Sequence, residues 1–304
     1  MWRLFLFAAF ACSAGAATLF RDPGPVASLD LAGGPGGRHR APQPPFTFVR
    51  EETEGTAPKV LVRDARGTQW SVKFGEEAKA ETFASRIAWA AGYLAEPTYF
   101  VREGRIEGAG QLRRAAAFVQ GGQFEGARFE LRDPSSYRLV PDSSWTLEDK
   151  RVDGTRELNG LKLTVMLVSN WDVKRQNLAI LETEGRQYFA ITDWGASMGR
   201  ASDFSGRSKW DCRGFTLQSG HFADGVGDGY VTFHYDGKDR DLIRNNIRIE
   251  DVKWFMSRMG GLTDAQIRAA LDASGATPAE SDCFAPALRQ RLNQLASVAS
   301  GQIG

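Results

Sequence analysis

Apolar and polar positions in the first half of the chain follow a strand pattern that changes once to a helical pattern. Apolar residues alternate or cluster in three short segments, 46–49, 59–62 and 68–74. They then recur at helical spacing, at Phe83, Ile87, Ala90 and Leu94. A further strand-like segment follows at 98–101. This half is therefore predicted to contain three strands, one helix and more strand.

The second half shows mainly helical patterns. One stripe of apolar residues has helical spacing, at Leu158, Leu161, Val165 and Val168. Its intervening residues are largely apolar too, which is typical of a helix buried on all sides. Two strand-like segments, 178–181 and 188–191, flank a Glu184-Gly185 turn and predict a hairpin. A capping box at Thr263 and Gln266 and an amphipathic pattern over 285–298 predict two late helices. The predicted fold class is α+β.

The first 45 residues differ from the rest. Residues 1–17 contain Arg3, an apolar run and an Ala14-Gly15-Ala16 cleavage pattern, which are features of a signal peptide. A buried N-terminal helix would share the apolar run. The run is shorter than the roughly 20 residues that cross a bilayer, so we expect no transmembrane segment after signal cleavage. Residues 18–45 hold six of the 12 prolines and predict a mobile Pro/Gly-rich linker, with folding expected from about Phe46.

Charge and cysteine content narrow the function classes. Lys+Arg number 38 against 37 for Asp+Glu, a net charge of +1. The chain therefore lacks the basic excess that nucleic-acid binding needs. Signal cleavage would leave Cys212 and Cys283, either as a disulfide in an oxidising compartment or as two unrelated buried thiols. We expect an exported protein, periplasmic or extracellular.

The segment that carries chemistry lies between the buried helix and the hairpin. It reads Asn170-Trp171-Asp172-Val173-Lys174-Arg175-Gln176-Asn177, and the hairpin is followed by Asp193-Trp194-Gly195. This order resembles the catalytic and metal loops of the protein-kinase-like superfamily. The resemblance covers residues 46 to about 200. It implies a bilobal protein-kinase-like fold, with an N-lobe over 46–120 and a C-lobe over 121–304. The whole chain is also similar to a family of exported bacterial proteins that share Asn-Trp-Asp-x-Lys and Gly-Ala-Ser-x-Gly.

Phosphoryl transfer explains why these residue types are needed. The transferred group carries spread negative charge, so catalysis consists mainly of positioning and neutralisation. The resemblance implies that Asp172 accepts the proton of the acceptor hydroxyl and that Lys174 reaches the phosphate. Asn177 and Asp193 would hold Mg²⁺ through hard oxygen atoms. The implied cofactors are ATP, or another nucleotide, and Mg²⁺. The acceptor, a protein or a small molecule, stays open, and residues 203–245 are expected to form its side.

The first half supplies a candidate nucleotide-binding pair. Lys73 ends a predicted strand, where kinases place the lysine that holds the α- and β-phosphates, and Glu81 on the next helix would pair with it. The gap between them is shorter than in eukaryotic protein kinases, so Glu76 or Glu77 are alternatives. The phosphate-covering loop contains only Gly55, and no Ala-Pro-Glu follows Asp193 at a suitable distance. A peptide-binding site of the protein-kinase type is therefore not implied.

Other functions also fit parts of the sequence. Gly195-Ala196-Ser197-Met198-Gly199 matches the nucleophile elbow of α/β-hydrolases, which would make Ser197 a nucleophile. However, the following residues 200–213 are polar and aperiodic, and no alternating strand–helix series is present. An exported pseudokinase, a binding protein that keeps the fold, is the other alternative. Transfer of a nucleotidyl group on the same scaffold also stays open.

Overall fold

The computed structural model describes residues 16–202 and 205–302. The predicted signal peptide, 1–17, lies outside the described residues except for its last two positions. The content is mixed α+β, as predicted, with strands concentrated before residue 140 and helices after it. Within the described ranges, no helix is both long and apolar enough to cross a membrane.

Five strands close into a barrel. Their bounds are β1 Phe46–Glu52, β2 Lys59–Arg63, β3 Gln69–Phe74, β4 Thr98–Glu107 and β5 Gln123–Leu131. The order is β1-β2-β3-β5-β4, and a short parallel pairing of β1 with β4 completes the closure. Because side chains alternate along a strand, Trp70, Val72 and Phe74 fill the barrel core while Lys73 lies on the outer face.

The predicted N-lobe boundary at residue 120 is wrong. Strand β5 begins at Gln123, yet it pairs with both β3 and β4 in the middle of the barrel. The 15 residues between β4 and β5 carry no regular pattern, so the sequence did not show that the chain returns to the same sheet. A boundary at 120 would separate β5 from the barrel to which it belongs.

Helix α1, Glu77–Ala90, connects the barrel to the helical part. Most of its residues are buried, because one side packs against β4 and β5 and the other joins the main hydrophobic core through Phe83 and Ile87. Its first turn carries Glu77, which suits the positive end of the helix dipole.

The helical part is built around α2, Arg156–Leu167. Every residue from Leu158 to Leu167 is buried, as its apolar pattern predicted. The other elements are β6 Arg138–Leu139, β7 Leu178–Thr183, β8 Arg186–Ile191, α3 Cys212–Ser219, β9 Ala223–Gly227, β10 Tyr230–Phe233, α4 Arg240–Arg244, α5 Ile249–Met259, α6 Asp264–Ala273 and α7 Pro278–Ala299. The predicted hairpin is β7–β8, and the predicted capping box of Thr263 and Gln266 begins α6. Helix α7 starts earlier than predicted, at a second capping box of Thr277 and Glu280.

Residues 18–45 are not a mobile linker, and this prediction is corrected. Leu19, Val26 and Leu31 are buried in the main core, and Gln266 on α6 donates hydrogen bonds to the carbonyls of Val26 and Leu29. The prolines and glycines shape three short 3₁₀ turns over 26–40. A few apolar residues between such turns are enough to anchor the segment, even though its composition resembles that of a linker.

Leu31→Ala tests this correction. We expect it to lower the free energy of unfolding by about 2–5 kcal/mol, because it removes a side chain that is 1% exposed and leaves a cavity. Urea denaturation would measure the change. Leu139→Ala is the matched control, since Leu139 is 59% exposed. Equal, near-zero losses for both variants would show that the segment is unanchored.

The disulfide between Cys212 and Cys283 is present. It joins the first residue of α3 to α7, with 6.1 Å between the two Cα atoms. This confirms the pairing over the alternative of two unrelated thiols.

Candidate active site

Lys73 lies on the outer face of the barrel, directly beneath α1. Its ammonium group donates to Glu81 Oε2 at 2.8 Å and to Glu77 Oε2 at 3.0 Å. The sequence left Glu76, Glu77 and Glu81 open as the partner of Lys73. Among the described residues, the contacts with Lys73 come from Glu77 and Glu81. The two carboxylates are one helical turn apart on α1, so both reach the same side of the strand.

A second cation shares Glu81. Arg128 on β5 is the strand partner of Lys73 and donates to Glu81 Oε1 at 3.0 Å. Arg128 also donates to Glu130, two residues along the same strand face. Lys73, Glu81, Arg128 and Glu130 are all buried. The sequence did not point to Arg128, because a lone arginine in a strand has no motif around it.

Burial and charge set the ionisation of this group. Burial alone would lower the pKa of Lys73, but the neighbouring carboxylates, above all Glu81, raise it above its ordinary value. Burial likewise opposes ionisation of Glu77, yet Lys73 and Lys209 together hold its pKa at about 2. Burial raises the pKa of Glu81 despite the nearby Arg128 and Lys73. Lys73 is therefore a fixed positive charge.

Asp193 follows β8 and reaches the same place from the helical part. One oxygen from each of Glu77, Glu81 and Asp193 lies within 4.8 Å of the others. The backbone N–H of Gly195 donates to Asp193 Oδ1 at 2.9 Å, which orients that carboxylate. A side chain at Gly195 would collide with Glu77, since a Cβ there would lie 2.9 Å from Glu77 Oε2. The glycine of the Asp-Trp-Gly segment therefore allows close packing against Glu77 of α1.

The loop after α2 holds Asp172, Lys174 and Asn177 together. Lys174 Nζ donates to Asp172 Oδ2 at 2.8 Å. Asn177 Nδ2 donates to the backbone carbonyl of Asp172 at 2.9 Å, which closes the loop. Burial favours a neutral Asp172, but Lys174 and Lys238 hold the pKa of its carboxyl below the ordinary value. Asp172 is thus an ionised carboxylate at the mouth of the loop.

Asn170 joins the two loops, a role that the sequence did not reveal. Its Oδ1 accepts from the backbone N–H of Asp172 at 3.2 Å, and its Nδ2 donates to the backbone carbonyl of Asp193 at 3.1 Å. In the described residues, the Lys73–Glu81 group and the Asp172–Lys174 group are connected through Asp193 and Asn170, without a direct hydrogen bond between them.

Arg291 holds the end of α2 in place. Its buried guanidinium donates to the carbonyls of Met166 and Leu167 and to the hydroxyl of Ser169. Ser169 has a φ of 51°, so the chain leaves the helix through a left-handed residue directly before the loop. Burial lowers the pKa of Arg291 to about 9. Because Arg291 is distant in sequence and lies in α7, no local pattern could have assigned it to this loop.

Two lysines that the sequence did not single out contact the site. Lys209 donates to Glu77 Oε1 at 2.5 Å, from the segment that follows Asp193. Lys238 donates to Asp172 Oδ1 from a turn after β10. Neither belongs to a recognisable motif, so their positions follow only from the fold.

Ser197 does not form a hydrolase site. It is fully buried, and its hydroxyl has no hydrogen-bond partner among the described residues. His221 and His234 instead lie beside Asp224, at 3.6 Å and 3.3 Å. A helix begins only at Cys212, not directly after the serine as an elbow requires. The hydrolase alternative is therefore not supported.

Comparison with known proteins identifies the fold but not a sequence family. No protein-family model matches the chain, and no curated protein matches it. A solved structure of the Helicobacter pylori proinflammatory kinase CtkA is 13% identical, covering 86% of this chain and 98% of that one, with a TM-score of 0.52. The chain has a protein-kinase-like fold. A Golgi casein kinase is 14% identical over 90% of this chain and 76% of its own, with a TM-score of 0.46.

The kinase-like fold accounts for the element order around the site. The sequence predicted strands, one helix, more strand, a buried helix and a hairpin, and these appear in that order as β1–β3, α1, β4, α2 and β7–β8. At this level of identity the likeness concerns the fold alone.

Proposed function

We propose that this protein is a phosphotransferase that uses ATP, or a similar nucleotide, together with Mg²⁺. One observation carries the proposal. Lys73, Glu81 and Asp193 converge beneath α1, and Asn170 joins Asp193 to the loop that holds Asp172 and Asn177. These residue types match those that kinase-like enzymes use for phosphate, metal and acceptor.

In this proposal Lys73 binds the phosphates of the nucleotide. Its raised pKa keeps it charged, and Glu81 holds its ammonium group in one position. A pre-positioned cation loses less freedom on binding than a mobile surface lysine does, which favours affinity. Arg128 also stabilises this pair, since it donates a hydrogen bond to the second carboxylate oxygen of Glu81.

The donor set fits Mg²⁺. Asp193 and the amide oxygen of Asn177 are hard ligands, and Glu77 and Glu81 add carboxylate oxygens close to Asp193. The hydrogen bond from Asn177 Nδ2 to Asp172 leaves Asn177 Oδ1 as the ligand atom. The ion would neutralise the charge that develops on the phosphates during transfer.

Asp172 would accept the proton of the acceptor hydroxyl. At the same time the oxygen of that hydroxyl would bond to the phosphorus, and the bond from the phosphorus to the nucleoside diphosphate would break. Lys174 would lie against the transferring group. The barrel with α1 and the helical part would form the two lobes on either side of the nucleotide. The acceptor would be a protein or a small molecule that enters beside Asp172.

We further propose that the protein is exported. The Cys212–Cys283 disulfide supports this location, because disulfides persist in oxidising compartments. The N-terminal pattern of a signal peptide supports it independently.

A melting experiment tests nucleotide binding. The Tm of the wild-type protein should rise with ATP plus Mg²⁺, because a ligand that binds only the folded state stabilises it by about 2.7 kcal/mol at 100 times its Kd. ATP with excess EDTA should give a much smaller rise. A Tm that ATP and Mg²⁺ leave unchanged would refute the proposal. Binding without measurable transfer would instead favour the pseudokinase alternative.

A further inference from the structure

The turn that follows β10 packs against the loop that holds Asp172. The backbone N–H of Lys238 donates to the carbonyl of Trp171 at 2.9 Å, and the buried hydroxyl of Tyr235 donates to the carbonyl of Asn170 at 2.5 Å. Gly237 lies between these contacts, where a Cβ would come within 2.9 Å of the Trp171 Cα atom. The turn is therefore built against the loop at backbone level.

This attachment delivers one side chain to the site. Lys238 Nζ contacts Asp172 Oδ1, while Lys174 Nζ contacts Asp172 Oδ2. Each oxygen of the carboxylate thus has its own ammonium partner, one from its own loop and one from the turn. Lys174 alone could rotate together with Asp172, since both side chains extend from the same short loop. A partner from a separately anchored segment removes that freedom.

A contribution to folding stability does not explain why Asp172 pairs with two lysines. The side chain of Lys238 is 41% exposed and that of Lys174 is 38% exposed. Ion pairs at such exposure contribute little to folding, because water and salt screen them. The turn also forms one wall of a cavity of about 490 Å³ that includes Arg207, Asp236 and Arg240. Lys238 therefore contacts Asp172 and also lines this cavity.

We propose that Lys238 is a positioning residue that holds the Asp172 carboxylate in the orientation needed to receive the acceptor proton. The inference rests on the proposed phosphotransfer and deepens it. Each carboxylate oxygen has more than one lone pair, so Oδ1 can bond to Lys238 and still accept from a hydroxyl. Without Lys238 the carboxylate would be free to rotate about its last bond, and fewer encounters would have the reactive geometry.

Kinetics of Lys238→Met test this role, with Mg²⁺-dependent hydrolysis of ATP as the assay and water as the acceptor. The expected result is a kcat lower by about 10–10²-fold, since small misplacements of catalytic groups have effects of that size. The KM and the calorimetric Kd for Mg²⁺–ATP should change less than two-fold. Lys238→Arg should recover most of the rate, because it keeps the charge. Lys253→Met, an exposed lysine paired with Glu250 on α5, is the control and should behave as wild type.

A double-variant cycle separates an action through Asp172 from direct contact with phosphate. In the Asp172→Asn background, Lys238→Met should cause no further loss of single-turnover rate. An additive loss would overturn the proposal, and so would a rise in Kd as large as the fall in kcat/KM.

Melting of Lys238→Met separates a positioning role from a structural one, without turnover. Its Tm should stay close to that of Lys253→Met, because an ion pair at this exposure contributes little to folding, and a much larger Tm loss overturns the positioning role. Failure of the wild-type protein to bind Mg²⁺–ATP would refute the phosphotransfer proposal itself. That outcome is distinct from additive kinetics or a large Tm loss, which refute only the role of Lys238.

Discussion

Replacing Asp172 with alanine should slow phosphoryl transfer by about 10²–10⁴-fold while Mg²⁺–nucleotide binding stays near the wild-type value. The size is that of a lost general base. Binding should persist because Glu81 holds Lys73 and Asp193 lies beside Glu81, and among the described residues neither Lys73 nor Asp193 hydrogen-bonds to the Asp172 side chain. Single-turnover hydrolysis of ATP would measure the rate, and calorimetry would measure the Kd.

The matched control is Asp282→Ala, since Asp282 is an exposed aspartate paired with Arg268 on the surface of α7. It should leave both rate and affinity unchanged. If Asp172 only stabilised its loop, the variant would instead lose about 1 kcal/mol of stability with no selective loss of rate. An Asp172→Ala protein that transfers phosphate at the wild-type rate would refute the assignment of the base.

The second large effect concerns stability. Glu81→Ala should lower the free energy of unfolding by about 3–5 kcal/mol, because it leaves two buried cations without their shared partner. Lys73 and Arg128 are 6% and 2% exposed, and Glu81 accepts from both. Equilibrium denaturation in urea, with the slope checked against wild type, would measure the loss.

Two further variants sharpen this test. Glu250→Ala, which removes an exposed partner of Lys253, should leave the denaturation midpoint unchanged. Adding Lys73→Met to Glu81→Ala should recover part of the loss, because one uncompensated charge is then gone. A near-zero loss for Glu81→Ala would mean that the buried network contributes nothing to the fold.

The parts of the site that the sequence predicted are contiguous in the chain. Asp172, Lys174 and Asn177 lie within six residues, and Asp193 follows one hairpin later. Their geometry depends on a loop and a hairpin, so residue spacing was enough to bring them together. The pairing of Lys73 with Glu81 could also be predicted from the sequence, because the end of a strand and the first turns of the next helix are neighbours by local geometry.

The parts that the sequence missed depend on contacts between distant segments. Lys238 reaches Asp172 from 66 positions away, and Arg291 reaches Ser169 from 122 positions away. No periodicity or motif records such a contact, since it results from the packing of whole elements. The prediction of a mobile linker over 18–45 was wrong for the same reason. The segment is rich in proline and glycine, but Leu19, Val26 and Leu31 anchor it in the main core.

Titration of the wild-type and Asp193→Ala proteins with ATP, with and without Mg²⁺, is the most direct test of the central claim. Asp193 lies beside Glu77 and Glu81 of α1 and also connects, through Asn170, to the loop of Asp172. The account predicts that the wild-type protein binds ATP far more tightly with Mg²⁺. It also predicts that Asp193→Ala, folded by circular dichroism, loses this dependence on Mg²⁺. A folded Asp193→Ala protein with unchanged Mg²⁺-dependent binding would contradict the account.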